Sequence, residues 1–188
     1  LGVIYRGELL SEYHKQCLPN YQVFDERRYF EPGLEACIVK IKNIRCAFTV
    51  CEDLWQEGPV RDLKSLGAQM LVNINASPFH INKSKERQDL LLKRCREGNF
   101  PIVYVNLIGG QDELVFDGGS MVVDAKGQKI FQAPNFMEDL YPIELSITTE
   151  DNIELCSHLI AQNVSVEESV YQGLVLGVKD YVRKNKFS

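Results

Sequence analysis

Three apolar, β-branched runs, each ending on polar or reactive residues, constrain this chain more than anything else in it. They are Ile44 to Cys51, Met70 to Ala76 and Ile102 to Asn106. The segments between them carry helical patterns instead: Pro59 to Leu66, closed by Gly67, and Lys83 to Gly98, with leucines at 90, 91 and 92 and a glycine stop. Strand, helix, strand, helix, strand, followed by hairpins, predicts an α/β sandwich rather than an all-α or all-β fold. In such sheets chemistry gathers at the C-terminal ends of the strands. The first run delivers Cys51 there, followed by Glu52, Asp53 and the only tryptophan, Trp55.

The flanking sequence completes the pattern. Leu1 to Tyr5 and Leu9 to Lys15 read as strands around a Gly7-Glu8 turn, and Leu18-Pro-Asn-Tyr21 as a loop. Phe24 to Phe30 alternates aromatics with charges before a Pro32-Gly33 turn, and Ile38 to Ile41 forms a hairpin with the Cys51 strand at Lys42-Asn43. Val115-Phe116, Gly119 to Val123 and Lys129 to Gln132 are further strands, the last two joined by the turn at Asp124 to Gly127. Thr148 to Asn152 reads as a linker. Ser165-Val-Glu-Glu168 resembles a capping box opening an amphipathic helix to Asn185, with apolar residues at 170, 174, 175, 178, 181 and 182. The chain opens inside a strand pattern and closes just after this helix, so the parent polypeptide is expected to extend both ways.

With 188 residues, 45% hydrophobic and 25% charged, the chain suits one ordinary α/β domain. Its net charge of -5 disfavours a nucleic-acid or anionic-membrane partner. No apolar run reaches the roughly 18 residues of a membrane span. No signal-peptide pattern opens the chain, and a cytoplasmic location is expected. Six cysteines without a CxxC pair and three scattered histidines predict neither a disulfide scaffold nor a metal site. Cys37, Cys46 and Cys156 read as small buried apolar residues of a reducing compartment.

A cysteine is a useful nucleophile only where a neighbour lowers its pKa or takes its proton. Lys15, before a Leu-Pro turn, could reach into a pocket and steady a thiolate or an oxyanion; the alternative is a solvated surface lysine. Glu26 lies among aromatics and could be desolvated, or could pair with Arg27 or Arg28. Asn73 to Phe79 runs a strand into Ser77-Pro78, which could line a cleft or form a capped turn. Asn106 and Gly109-Gly-Gln-Asp112 read as a similar strand-end loop, which matches no phosphate-binding fingerprint. Lys83, Lys85 and Arg87 read as the solvated face of a helix start.

These residues carry a resemblance. Lys15 to Phe30, Val50-Cys-Glu-Asp-Leu-Trp55, Asn73 to Phe79 and Tyr104 to Gly118 resemble, in order, the nitrilase (carbon–nitrogen hydrolase) superfamily. Within it they are most similar to the glutaminase-domain family of glutamine-dependent NAD+ synthetases. The resemblance implies a partial αββα sandwich over residues 1–150, then a linker and the first helix of a synthetase domain over 151–188. It implies a Glu-Lys-Cys triad in which Cys51 is the nucleophile and Lys15 holds the oxyanion with a backbone N–H, with Glu26 a second, assisting glutamate. The family's general-base glutamate lies well upstream of its lysine. Only fourteen residues precede Lys15 here, and Glu8 and Glu12 sit in a different context, so that base is expected outside this sequence.

Tyr21, Glu52 and Ser77 would hold glutamine, with Lys83 contributing. No cofactor is implied for this domain, whereas ATP and Mg2+ are implied for a synthetase domain in cis. The family also implies a homo-oligomer. Another amidase of the superfamily, or an inactive structural module, would be the alternatives.

Overall fold

The structure, a computed structural model, describes residues 1–147, 153–156, 159–162 and 164–187. The linker expected at 148–152, His158 and the side chain of Cys156 lie outside the described residues. In chain order the strands are β1 (Gly2–Tyr5), β2 (Glu8–Glu12), β3 (Cys37–Ile41), β4 (Ile44–Val50), β5 (Met70–Asn75) and β6 (Ile102–Asn106). Then come β7 (Ile108–Gln111), β8 (Leu114–Asp117), β9 (Met121–Val123), β10 (Lys129–Gln132), β11 (Glu144–Ile147) and β12 (Ile153–Cys156). The helices are α1 (Glu52–Trp55), α2 (Pro59–Ser65), α3 (Lys83–Gly98) and α4 (Val166–Lys184).

A six-stranded sheet in the order β10-β9-β6-β5-β4-β3 forms the centre, with β4, β5 and β6 parallel and the outer pairs antiparallel. The predicted alternation thus becomes two strand–helix–strand crossovers. Side-chain alternation along the strands splits the core. Ala47, Leu71 and Ile102 face the helices and pack with Leu54, Leu63 and Leu91. Cys46, Met70, Val72 and Val103 face the other way. Tyr141, Ile143 and Leu155 cover part of that second face, while Ile74 and Val105 stay exposed.

The structure corrects the sequence reading in several places. The strand expected over Leu9 to Lys15 stops at Glu12. The chain then runs beside residues 33–35: Gly33 N–H donates to the Lys15 carbonyl at 2.8 Å, and Gln16 Nε2 to the Glu35 carbonyl at 3.1 Å. The approach demands glycine, since a Cβ at Gly33 would lie 2.2 Å from the His14 carbonyl oxygen. Helix α3 keeps the expected bounds, Lys83–Gly98, but its left-handed cap is Asn99, at φ 54°, rather than a glycine. The aromatic-rich stretch after Tyr21 holds a 3-10 turn, Glu26–Arg28. Gly109-Gly110 belongs to strand β7, and the β11–β12 hairpin had no counterpart among the expected elements.

Helix α4 starts where the capping box predicted, with Ser165 Oγ accepting from Glu168 N–H at 3.2 Å. Its contact face is not the apolar stripe. Gly173 is its buried residue, and a Cβ on Gly110 would approach the Gly177 Cα to 3.1 Å. Asp180 Oδ2 accepts from Gly110 N–H at 2.8 Å and Lys184 Nζ donates to the Gly110 carbonyl. Leu174, Val178 and Tyr181 remain exposed. Small residues allow close backbone approach, and polar side chains then clasp the β7–β8 hairpin.

Candidate active site

Cys51 leaves β4 in a conformation that non-glycine residues rarely adopt, φ 47° and ψ -103°. Such a backbone costs on the order of 1–3 kcal/mol and persists only where its surroundings enforce it. Enforcement comes from three directions. Cys51 N–H donates to the Ile74 carbonyl at 2.9 Å, and Leu54 N–H to the Cys51 carbonyl at 3.1 Å. Val50 N–H donates to Asp53 Oδ2 at 3.0 Å. The turn into α1 therefore presents the thiol at the C-terminal end of β4, beside the end of β5. Buried Asn73, Asn75, Tyr104 and Asn106 follow on the same face of β5 and β6.

The cation and the carboxylate predicted at a distance are neighbours in space. Lys15 Nζ donates to both Glu26 oxygens at 2.7 Å, so Glu26 pairs with Lys15 rather than with Arg27 or Arg28. The Lys15 ammonium is mostly covered, which excludes the solvated reading. Glu52 is buried. It accepts from the Tyr21 hydroxyl at 2.8 Å through Oε2 and from Gln56 Nε2 at 2.6 Å through Oε1. Burial and the Glu52 carboxylate raise the pKa of the Tyr21 hydroxyl. Burial also pushes the Cys51 thiol above its ordinary value; Lys15 and the Ala76 backbone pull it back, while Glu52 and Glu26 add to the rise. The raised thiol favours its protonated form, so a nucleophilic role for it calls for a proton acceptor.

Ser77 is buried at the loop after β5. Its N–H donates to Asn106 Oδ1 at 2.9 Å. The residue that secures this loop is Arg87, 1% exposed, which corrects the expectation of a solvated arginine. Arg87 donates to Ser77 Oγ at 3.3 Å, to the Ser77 carbonyl at 2.8 Å, and to both oxygens of buried Asp117 at 3.0 and 2.8 Å. Lys83 lies over the Trp55 ring, its ammonium 4.0 Å from the centroid, and pairs with Glu86 at 3.1 Å. Cys51, Lys15, Glu26, Tyr21, Glu52 and the Ser77 loop thus converge, while Lys83 sits on the flank of α1. Sequence reasoning missed Asp53, Arg87 and Asp117 as builders of the site. The Glu-Asp pair after the thiol was the one available signal for Asp53. Among the described residues no group of three His, Cys, Asp or Glu side chains is placed to hold a metal ion, and no helix is long and apolar enough to cross a membrane.

The site thus sets a thiol on a strained strand-end turn beside a lysine clasped by a glutamate. Residues 3–151 match the carbon-nitrogen hydrolase family, and the chain belongs to it. The chain is 38% identical to the glutamine-dependent NAD(+) synthetase of Thermotoga maritima, over 99% of its own length and 38% of that protein's. It superposes on the glutamine-dependent NAD+ synthetase structure from Acinetobacter baumannii with a TM-score of 0.90 at 35% identity, covering 97% of this chain and 34% of the other. A variant of the Nesterenkonia AN1 amidase of the nitrilase superfamily gives 0.61 at 28% identity over 68% and 47% of the two chains. The nitrilase-like fold expected from the sequence is therefore the observed one. The chain spans little more than a third of the length of these synthetases.

Proposed function

We propose that these residues form the glutaminase part of an enzyme that hydrolyses glutamine and passes the ammonia to an ATP-dependent NAD+ synthetase part of the same polypeptide. Cys51 sulfur attacks the side-chain amide carbon as its proton leaves for a base. Lys15 Nζ and a backbone N–H beside Cys51 hold the resulting oxyanion. The C–N bond breaks, ammonia departs carrying the proton, and water cleaves the thioester to release glutamate and restore the thiol. Glu26, joined to Lys15, keeps the ammonium charged and aimed. Tyr21, Glu52 and Ser77 receive the glutamine, with Lys83 at the margin. Helix α4 begins the synthetase part, which would need ATP and Mg2+; a cytoplasmic homo-oligomer fits the same reading.

The observation that carries this reading is the Cys51 turn held against the Lys15–Glu26 pair. The high similarity to glutamine-dependent NAD+ synthetases over the whole chain favours glutamine over another amide. Glutamate release by the full-length protein tests it. Cys51→Ala is expected to abolish glutamine hydrolysis and to spare synthesis from added ammonia; continued glutamate release by that variant would overturn the assignment. The carboxylates nearest the thiol are already engaged, Glu26 by Lys15 and Glu52 by Tyr21 and Gln56. The proton acceptor is therefore proposed to lie outside this sequence, and residues 1–188 alone should turn over little glutamine. Robust turnover by them would overturn that part.

A further inference from the structure

Asp53 has no exposed surface, yet its known partners are all uncharged. Its Oδ1 accepts from Gln16 N–H at 3.0 Å and Cys17 N–H at 2.7 Å. Its Oδ2 accepts from the Tyr13 hydroxyl at 2.8 Å and Val50 N–H at 3.0 Å. Two donors on each oxygen fill the carboxylate's acceptor sites, which is how a buried anion is satisfied without a counter-ion. The negative charge leaves its mark on the donors' neighbourhood: burial and Asp53 push the Cys17 thiol up to about 11.

The positions of those donors matter more than their number. Gln16 and Cys17 immediately follow Lys15. Val50 immediately precedes Cys51, and Asp53 itself opens the helix after it. The segment around Lys15 lies outside any strand, so no sheet ladder fixes its distance from β4. A single carboxylate, rigidly buried, grips the backbone at both.

We propose that Asp53 is a positioning residue that sets the placement of Lys15 against the Cys51 thiol. This rests on Cys51 and Lys15 acting as assigned above. Asp53 touches neither substrate nor thiol; it acts by holding the cation where the developing negative charge will be. Misplacement of a reacting group by about 1 Å can cost on the order of 100-fold in rate.

The test uses the full-length protein with two readouts. One is the pH profile of Cys51 alkylation by iodoacetamide, followed by mass spectrometry of the Cys51 peptide; the other is steady-state glutamine hydrolysis. The charged and titratable groups facing Cys51 are Lys15, Glu26 and Glu52, with Tyr21 and Tyr104 beside them. Asp53→Asn keeps the side-chain volume. It is expected to move the alkylation profile to higher pH, toward that of Lys15→Met, and to lower kcat about 100-fold with KM within about threefold. Loss of the Asp53 charge alone would move the profile the opposite way, so the direction separates positioning from simple electrostatics. The double variant Lys15→Met/Asp53→Asn is expected to match Lys15→Met alone.

A profile for Asp53→Asn that stays put or falls, or additive effects in the double variant, would overturn the proposal. Should Asp53→Asn fail to fold, Tyr13→Phe removes one restraint and leaves the carboxylate. A smaller shift in the same direction supports the proposal, and an unchanged profile overturns it. If the unaltered protein hydrolyses no glutamine, the proposed function fails, and the alkylation readout still decides the role of Asp53.

Discussion

The Cys51 turn and the Ser77 loop both hang on a buried carboxylate, but Asp53 is met by neutral donors and Asp117 by the Arg87 guanidinium. The difference tracks what each side has to do. An arginine beside the thiol would add a permanent cation to a site that already uses Lys15 as its charge. Satisfying Asp53 with backbone N–H groups instead ties segments together and brings no second cation to the nucleophile. At the Ser77 loop a guanidinium serves better, because its planar fork can join Asp117 on β8 to two oxygens of Ser77 at once.

Breaking the ion pair is expected to have the largest effect on stability. Arg87→Ala strands a buried carboxylate and should cost about 3–5 kcal/mol, seen as a lowered denaturant midpoint. Asp53→Asn keeps the side-chain size but sets an NH2 donor against two of the four donors that Asp53 accepts from, and should cost about 1–3 kcal/mol. An equal or larger loss for Asp53→Asn would dissolve the contrast. Replacing the whole pair, as in Arg87→Met/Asp117→Leu, should recover much of the stability while leaving the Ser77 carbonyl without its donor.

A second prediction concerns charge at the thiol. Lys15 lowers the Cys51 pKa and Glu52 raises it, so their removal acts in opposite directions. Lys15→Met should slow alkylation of Cys51 at pH 7 and move its rise to higher pH. Glu52→Gln should speed it and move the rise lower. Each unit of displacement is worth about tenfold in thiolate on the acid side of the curve. Shifts of the same sign in both variants would contradict the site electrostatics.

The smallest effect is expected farthest from the site. Ser165→Ala removes the cap of α4 and should cost about 1 kcal/mol, confined to hydrogen exchange of the α4 amides. Faster exchange of β4 and β5 amides in that variant would show that the helix supports the sheet more than its contacts with β7 and β8 suggest.

Much of this was legible in the residues. Apolar runs of β4, β5 and β6 and the patterns of α2 and α3 were readable because local periodicity reports which faces are covered. Cys51 stood out because it ends such a run. Lys15 was expected to end a strand but lies three residues after one. Arg87 and Asp53 escaped. An arginine in a helix and an aspartate after a turn look the same whether solvated or buried. Strand β7 escaped because Gly109-Gly110 carries no side chains to alternate.

The sequence by itself determined the class of fold, the strand-end thiol, the charged residues drawn to it and the capped final helix, all of which depend on patterns within a few residues. Tertiary structure alone decided that Glu26 answers Lys15, that Arg87 is buried against Asp117, and that α4 docks through glycines rather than its apolar stripe. It also decided that Asp53 joins residues 36, 37 and 40 positions away. The physical reason is that burial of a charge and its satisfaction by distant donors are properties of packing, which no local periodicity encodes.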